Sequence, residues 1–328
     1  MKRFGVIAGI LLVFLISAFS LVVIYDKGKN QKPLRYADIP QETIDWINNI
    51  GDETNDIISS FNPTPRPTPW DNDDDIGQDP ETGLKTLEDE YFIFYFPESL
   101  KKAAYQCQPM AHQAIPRIEE IAGKYYYPSD MNGRKVPIYL STDQQSFEQL
   151  MSKMTSSSND YENVAGITVW EVGLSGFYLK CIALNGKYCF RDKKYTKHVM
   201  WHELTHYCYY ASIDYGQYNG RLPMWVTEGI AEYVGYPGER PSFSNDQIQE
   251  MRQGCDFSAP HFKYVHEVYQ GGHSIYCFME DRYRLPALKQ FLKGTYSEPL
   301  ATAVQQAFSV SVRQLENEWK ANLDKFER

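Results

Sequence analysis

The pattern of apolar and polar positions becomes that of a folded domain from about Leu87 onward. Apolar runs of strand length, bounded by turn residues, predict four strands at residues 91–96, 136–140, 166–170 and 177–184. Helical periodicity predicts helices over about 98–124 and 144–154, followed by a mainly helical half from about 194 to 328. This order predicts an α+β fold, in which a mixed β-sheet with packed helices precedes a helical C-terminal half.

The amino terminus has the pattern of a membrane segment. Two basic residues precede an uncharged, mostly apolar run of 21 residues from Phe4 to Ile24. That length is close to what spans a bilayer, so residues 1–25 are predicted to be an uncleaved signal anchor. A cleaved signal peptide is the alternative, because Ala18 and Ser20 supply small residues at alternate positions.

Residues 26–86 have the composition of a stalk. Prolines at alternate positions from Pro63 to Pro69 favour an extended conformation. The acidic run 71–75 resembles the start of a calcium-binding loop, but Ile76 and Thr82 stand where that loop needs glycine and glutamate, so we interpret it as solvated linker. The predicted organisation is an anchor (1–25), a stalk (26–86) and one domain (87–328). We expect a single-pass protein of the cell membrane with its body outside the cytoplasm, or a secreted protein if the anchor is cleaved.

Composition and charge exclude one class of partner. The 328 residues include 33 lysines and arginines against 42 aspartates and glutamates, which gives a formal net charge of −9. A surface that binds nucleic acid is normally basic, so no nucleic-acid partner is expected. The hydrophobic share of 43% is sufficient for a substantial core. The sequence leaves the oligomeric state open.

The six cysteines form an even set, which suits an oxidising compartment. Cys181 and Cys189 flank Leu184-Asn185-Gly186, a segment with the residues of a hairpin turn. A three-residue loop would set the two cysteines opposite each other, and this register predicts a disulfide; a two-residue loop would place them on opposite faces. The other four cysteines allow three pairings, and none has zinc-finger spacing.

Candidate metal chemistry concentrates in one pentapeptide, which reads His202-Glu203-Leu204-Thr205-His206. On a helix, His202 and His206 lie one turn apart on the same face, so both imidazoles can bind one Zn²⁺ while Glu203 faces its water as a general base. The surrounding residues from Val199 to Cys208 are otherwise uncharged, which predicts a buried helix. The alternative is a pair of core histidines beside a surface glutamate.

A second motif supplies the third ligand. Twenty-two residues after His206, Glu228 lies in a segment, Pro223–Gly235, that begins with proline and ends with glycine as short helices do. Glu228 is predicted to complete the ligand set and to leave a fourth position for water. Glu232 is predicted either to fix the tautomer of a ligating histidine or to be exposed. His198 is interpreted as a structural or rim residue, because three histidines stacked on one straight helix cannot converge on one ion.

Together the two motifs resemble those of the gluzincin zinc metallopeptidases, specifically the peptidase MA-like group with its tryptophan-x-x-glutamate-glycine helix. The resemblance extends loosely over residues 87–328 and implies a zincin-like fold, one catalytic zinc ion and a peptide or protein substrate. It also implies catalytic roles for His273 and Tyr269, near the start of a later helix, in stabilising the oxyanion; a plain helix-start histidine is the alternative. The strand over 177–184 is expected either to be the edge that pairs with an extended substrate, as is usual in this superfamily, or to be ordinary sheet structure.

The expected function is therefore that of a membrane-anchored, extracytoplasmic zinc peptidase. The exopeptidase signature glycine-x-methionine-glutamate-asparagine is absent from the sequence. Two other classes stay open, a non-catalytic zinc-containing surface domain and an adhesion module with a structural metal. Glu203 favours the enzyme, because a structural site has no use for a base beside the metal.

Overall fold

The computed structural model describes residues 76–328, apart from 132, 156–160, 174–175, 214–221, 261 and 263–266. The predicted anchor, and the predicted stalk before Ile76, lie outside the described residues. Within them, no helix combines the length and the apolar character needed to cross a membrane.

One mixed sheet of six strands forms the first half of the described chain, in the order β1-β2-β3-β4-β6-β5. The strands are β1 (Ile76–Gln78), β2 (Lys85–Glu88), β3 (Phe92–Phe96), β4 (Val136–Ser141), β5 (Gly166–Gly173) and β6 (Gly176–Asn185). Strands β1, β2 and β3 are antiparallel neighbours, β3, β4 and β6 run parallel, and β5 returns antiparallel to β6.

The strand order corrects one expectation. Of the two interpretations of the strand over residues 177–184, the substrate-pairing edge is wrong, because β6 has β4 on one side and β5 on the other. A strand's place in the sheet depends on the path of the whole chain, which an apolar run does not encode. The edge strand on this side of the sheet is β5.

Eight α-helices of the described residues complete the fold. They are α1 (Lys101–Ala122), α2 (Gln144–Met154), α3 (Lys193–Ser212), α4 (Met224–Gly235), α5 (Asn245–Gly254), α6 (Gly272–Thr295), α7 (Leu300–Phe308) and α8 (Val312–Asn322). A short π-helical turn, Glu267–Gly271, leads into α6. The predicted α+β class is confirmed, since a mixed sheet with packed helices precedes a mostly helical half.

The sheet separates the core into two clusters. Phe92, Phe94 and Phe96 of β3 are fully buried and alternate with half-buried residues, because successive side chains of a strand point to opposite faces. They belong to the main cluster, which also contains residues of α1 and α3. On the other face, Phe147 and Met151 of α2 form a smaller cluster with side chains of β5 and β6.

The predicted disulfide between Cys181 and Cys189 is wrong, because none of the six cysteines is paired. The chain makes no hairpin after β6. The side chain of Asn185 accepts a hydrogen bond from the Lys187 amide and donates one to the Val164 carbonyl, and the turn that follows leads into α3. Cys181 therefore packs in the smaller cluster and Cys189 in the main one, on opposite faces of the sheet.

Candidate metal centre

Helix α3 carries the first motif through the interior of the protein. The side chain of Asp192 accepts hydrogen bonds from the amides of Lys194 and Tyr195, which satisfies two donors of the first helical turn. Every residue from His198 to Tyr210 is buried, since α3 packs against the sheet, α1 and α4. The prediction of a buried motif helix is confirmed.

Helix α4 brings the second motif against α3 and α6. Gly229 of α4 meets Gly272 of α6 so closely that a Cβ on either residue would lie 2.9 Å from a backbone atom of the other. One turn along α6, the Tyr276 hydroxyl donates to the Val226 carbonyl at 2.8 Å. This contact between two backbones sets the depth of α4, and with it the position of Glu228, which is 1% exposed.

Three potential ligand atoms converge between α3 and α4. Nε2 of His206 lies 3.0 Å from Nε2 of His202 and 3.2 Å from Oε2 of Glu228, and Nε2 of His202 lies 3.3 Å from that oxygen. Ligands of tetrahedral zinc lie about 2.0–2.1 Å from the ion, which places neighbouring ligand atoms about 3.3–3.4 Å apart. The three residues thus have nearly the separation that zinc requires, and they could hold one metal ion.

The buried carboxylates around this cluster favour positive charge. Among the described residues, the ion-pair partners of Glu228 and Glu232 are histidines. Burial works to raise the pKa of Glu228, but His206 and His202 outweigh it and lower the pKa to about 2. Burial likewise works to lower the pKa of His202, but hydrogen bonds with Glu228 and Glu232 outweigh it and raise the pKa. Ionised carboxylates therefore attract positive charge here, which a proton or a metal ion can supply.

Glu232 holds the outer side of His202. Its Oε1 lies 3.0 Å from His202 Nδ1, the ring nitrogen that does not face the cluster. Because Glu232 is buried, the alternative of an exposed side chain does not apply. The carboxylate is placed to fix the tautomer and the orientation of the imidazole.

His198 stands beside Glu232 rather than in the three-atom cluster. Its Nε2 lies 3.5 Å from Glu232 Oε1, and the ring of Tyr236 stacks on it at 3.7 Å between centroids. His198, His202 and Glu232 also lie close enough to form a second group of potential ligands. His202 is shared by both groups, so the two lie side by side along α3.

Glu203 faces the edge strand β5. Its Oε2 accepts a hydrogen bond from the Thr168 hydroxyl at 2.7 Å, and both side chains are buried. Burial raises the pKa of Glu203, although the nearby His202 and His206 and the hydrogen bond from Thr168 work in the opposite direction. A buried carboxyl with a raised pKa beside three potential metal ligands is a candidate for proton transfer.

Thr168 is the site residue that the sequence analysis missed. The alternation of a strand places Thr168 on the face opposite Ile167 and Val169, and this signal was present in the sequence. Only the packing of β5 on α3 shows that this face meets Glu203.

The structure separates the two residues that the resemblance had offered as oxyanion donors. Tyr269 lies in the π-helical turn, with its ring centroid 6.2 Å from that of His202. Burial raises the pKa of its hydroxyl well above the usual value, so the group keeps its proton. His273 instead stacks on Tyr236 at 6.0 Å, on which His198 stacks too, and burial lowers its pKa to about 4. Tyr269 therefore lies at the cluster, and His273 packs behind Tyr236.

Comparison with known proteins gives limited similarity. No protein-family model and no curated protein matches the chain. A solved structure of a two-domain M1 zinc metallopeptidase mutant bound to L-tryptophan is 11% identical, with a TM-score of 0.44, and the match covers 70% of this chain and 48% of that one. For an M1 zinc metallopeptidase from Deinococcus radiodurans the identity is 10%, the TM-score 0.41 and the coverage 70% and 47%. The chain spans about half the length of these proteins.

Proposed function

We propose that this chain is a zinc-dependent peptidase that hydrolyses peptide bonds with Glu203 as the general base. The observation that carries the proposal is the convergence of His202, His206 and Glu228 on one point, with Glu203 buried on the same helix as both histidines. A zinc ion held by these three residues would acidify a water molecule and polarise the carbonyl of the scissile bond.

The task of Glu203 is proton transfer. It would take the proton of the attacking water and deliver it to the leaving amine. Its Oε2 accepts a hydrogen bond from Thr168, and a carboxylate retains further lone pairs that can take the proton. Because burial raises the pKa of this carboxyl group, it is a stronger base than an exposed glutamate.

Tyr269 is the residue proposed to stabilise the negative charge that develops on the carbonyl oxygen. It lies beside His202 and keeps its hydroxyl proton, so it can donate a hydrogen bond to an oxyanion. A neutral donor suits this task, since it needs no change of protonation during the reaction.

An extended substrate would bind along β5. This strand is the edge of the sheet next to α3, and Thr168 within it contacts Glu203. A peptide that adds as a further strand would pair its backbone with β5 and pass the general base. We therefore propose a peptide or protein as the substrate.

The location of the enzyme is proposed from the sequence alone. The apolar run from Phe4 to Ile24 would anchor the protein in the cell membrane, with the catalytic domain outside the cytoplasm. Cleavage of this segment would give a secreted enzyme instead.

A degenerate peptide library incubated with the full-length protein tests the proposal. We expect cleavage that a zinc chelator abolishes and added zinc restores. The variant Glu203→Gln should bind zinc as the wild type does and cleave at least roughly 10²-fold more slowly. Undiminished cleavage by Glu203→Gln would refute the proposed base. Zinc binding without any cleavage by the wild type would favour the alternative, a non-catalytic zinc-containing surface domain.

A further inference from the structure

We infer that Thr168 is a positioning residue for Glu203, whose hydroxyl holds the carboxylate in the orientation that proton transfer needs. The inference rests on the function proposed above and assigns a task to a residue outside both sequence motifs.

The hydrogen bond is short and fully buried. Thr168 Oγ1 lies 2.7 Å from Glu203 Oε2, and the two residues are 1% and 2% exposed. Water therefore does not compete with the threonine for the carboxylate. A hydrogen bond to an ionised acceptor is about twice as strong as one between neutral groups.

The hydroxyl has one proton and two acceptors within reach. Besides Oε2, the main-chain carbonyl oxygen of Glu203 lies 2.9 Å from Thr168 Oγ1. That carbonyl is inside α3, where helical carbonyls accept a hydrogen bond from the amide four residues later. The carboxylate is closer and carries charge, so it takes the threonine proton.

Gly166 holds the other side of the same carboxylate. A Cβ at this position would lie 3.0 Å from both Cγ and Oε1 of Glu203 and 2.6 Å from Cγ1 of Val199. The backbone of β5 thus lies directly against the glutamate, with a hydrogen-bond donor two residues further along the same face. Gly166 limits where the side chain can go, and Thr168 fixes how its carboxylate is turned.

This arrangement joins the base to the strand on which we propose that substrate binds. Since β5 supplies the hydrogen bond to Glu203 and is the edge strand of the sheet that the described residues form, a peptide paired with β5 would be held in register with the base. A general base gives its full effect only when it lies within hydrogen-bond reach of the proton it takes.

Kinetics of three variants test the role. Thr168→Val keeps the branched shape and removes the donor, and we expect kcat to fall at least about tenfold with KM unchanged, since proton transfer is impaired rather than binding. Thr168→Ser keeps the hydroxyl and should stay within about threefold of the wild type. Thr295→Val is the control, because it removes another buried threonine hydroxyl, one that bonds to Tyr209 and Leu292.

Infrared spectroscopy of the metal-free protein gives a measurement that does not depend on activity. The difference between the wild type and Glu203→Gln identifies the carboxylate stretching band of Glu203. We expect Thr168→Val to shift this band and Thr168→Ser to leave it in place, because the band responds to the hydrogen bond. Zinc affinity should be the same in the wild type, Thr168→Val and Thr168→Ser, since the Thr168 hydroxyl bonds to Glu203 rather than to a proposed ligand.

The outcomes separate the two proposals. An unshifted band in Thr168→Val, or a kcat equal to that of the wild type, would overturn the positioning role. A loss of kcat in Thr295→Val as large as in Thr168→Val would overturn it too, because any lost buried hydroxyl would then have the same effect. A wild type that cleaves no peptide would refute the proposed function, and the infrared band would still decide whether Thr168 orients Glu203.

Discussion

The sheet half and the two motif helices bury different kinds of side chain. Around β3 the buried residues are aromatic and aliphatic, and the ion pairs are half-buried or exposed, as between Lys135 and Glu88, whose side chains are 27% and 54% exposed. Helices α3 and α4 instead bury histidines and glutamates themselves, namely His198, His202, Glu203, His206, Glu228 and Glu232. Exposed ion pairs contribute about 0–1 kcal/mol, whereas desolvation costs several kcal/mol for each buried charge even when it has a partner. The comparison indicates that burial of these charged side chains on α3 and α4 has a desolvation cost, which a bound cation can offset.

The largest expected effect follows from removal of one ligand. Zinc at about 1,000 times its Kd should stabilise the wild type by about 4 kcal/mol, because only the folded chain assembles the cluster. For a domain of this size, that corresponds to a rise in Tm of roughly 8–16 °C. Glu228→Gln should lose most of this rise, as measured by thermal unfolding with zinc and with chelator. An undiminished rise would place the zinc elsewhere.

A substitution in the sheet half should lower the stability of the fold but leave the stabilisation by zinc intact. Phe94→Ala removes a fully buried aromatic ring from β3 and is expected to cost about 3–5 kcal/mol of unfolding free energy. The stabilisation by zinc should persist in this variant, because Phe94 lies on the sheet and not on α3 or α4. If the folded Phe94→Ala protein bound no zinc, the two regions would not be separable in this way.

A smaller effect is expected behind the ligands. Glu232→Gln should weaken zinc binding about 10–100-fold if the carboxylate, which lies 3.0 Å from Nδ1 of His202, orients that imidazole as predicted. Competition with a chelator of known affinity measures the change. Glu239→Gln is a control from the segment that follows this helix, where the Glu239 carboxylate pairs with Lys194 at 3.1 Å. Equal zinc affinity in the two variants would show that Glu232 has no role in orienting the ligand.

The smallest effect concerns pH and the sheet half. Burial works to raise the pKa of Asp89, but hydrogen bonds from His112, Gln108 and the amides of Tyr91 and Phe92 outweigh it and lower the pKa from 3.8 to about 2. Because the folded-state pKa is depressed, the carboxylate stabilises the fold above about pH 4, and this contribution is lost as the pH falls towards about 2. The Tm of the wild type should therefore fall more steeply across this window than that of Asp89→Asn. Parallel pH profiles would contradict the role of Asp89.

The parts of the site that sequence could predict are those with local spacing. His202 and His206 share a helix face because they are four residues apart, and Pro223 and Gly235 bound α4 as expected. The convergence of Glu228 with the two histidines agrees with the predicted ligand set, although the roles themselves stay predictions.

Features that depend on distant contacts were missed or wrong. Thr168 lies 35 residues before Glu203, and its partner is visible only once β5 packs on α3. The edge of the sheet was assigned to the wrong strand, because β5 lies outside β6 in the sheet although β5 precedes β6 in the chain. The prediction of a disulfide was wrong for a similar reason. The side chain of Asn185 bonds to Val164, and the turn after Asn185 is not a hairpin loop.

The close approach of Gly229 and Gly272 leaves no side chain between the backbones of α4 and α6. Glu228 directly precedes Gly229, and Tyr269 lies three residues before Gly272. The proposed metal ligand and the proposed oxyanion donor therefore lie close to the same backbone contact. Because close-packed backbones transmit strain, we expect a displacement of one helix to displace the other. A side chain added at either glycine is therefore expected to change the distance between Glu228 and Tyr269.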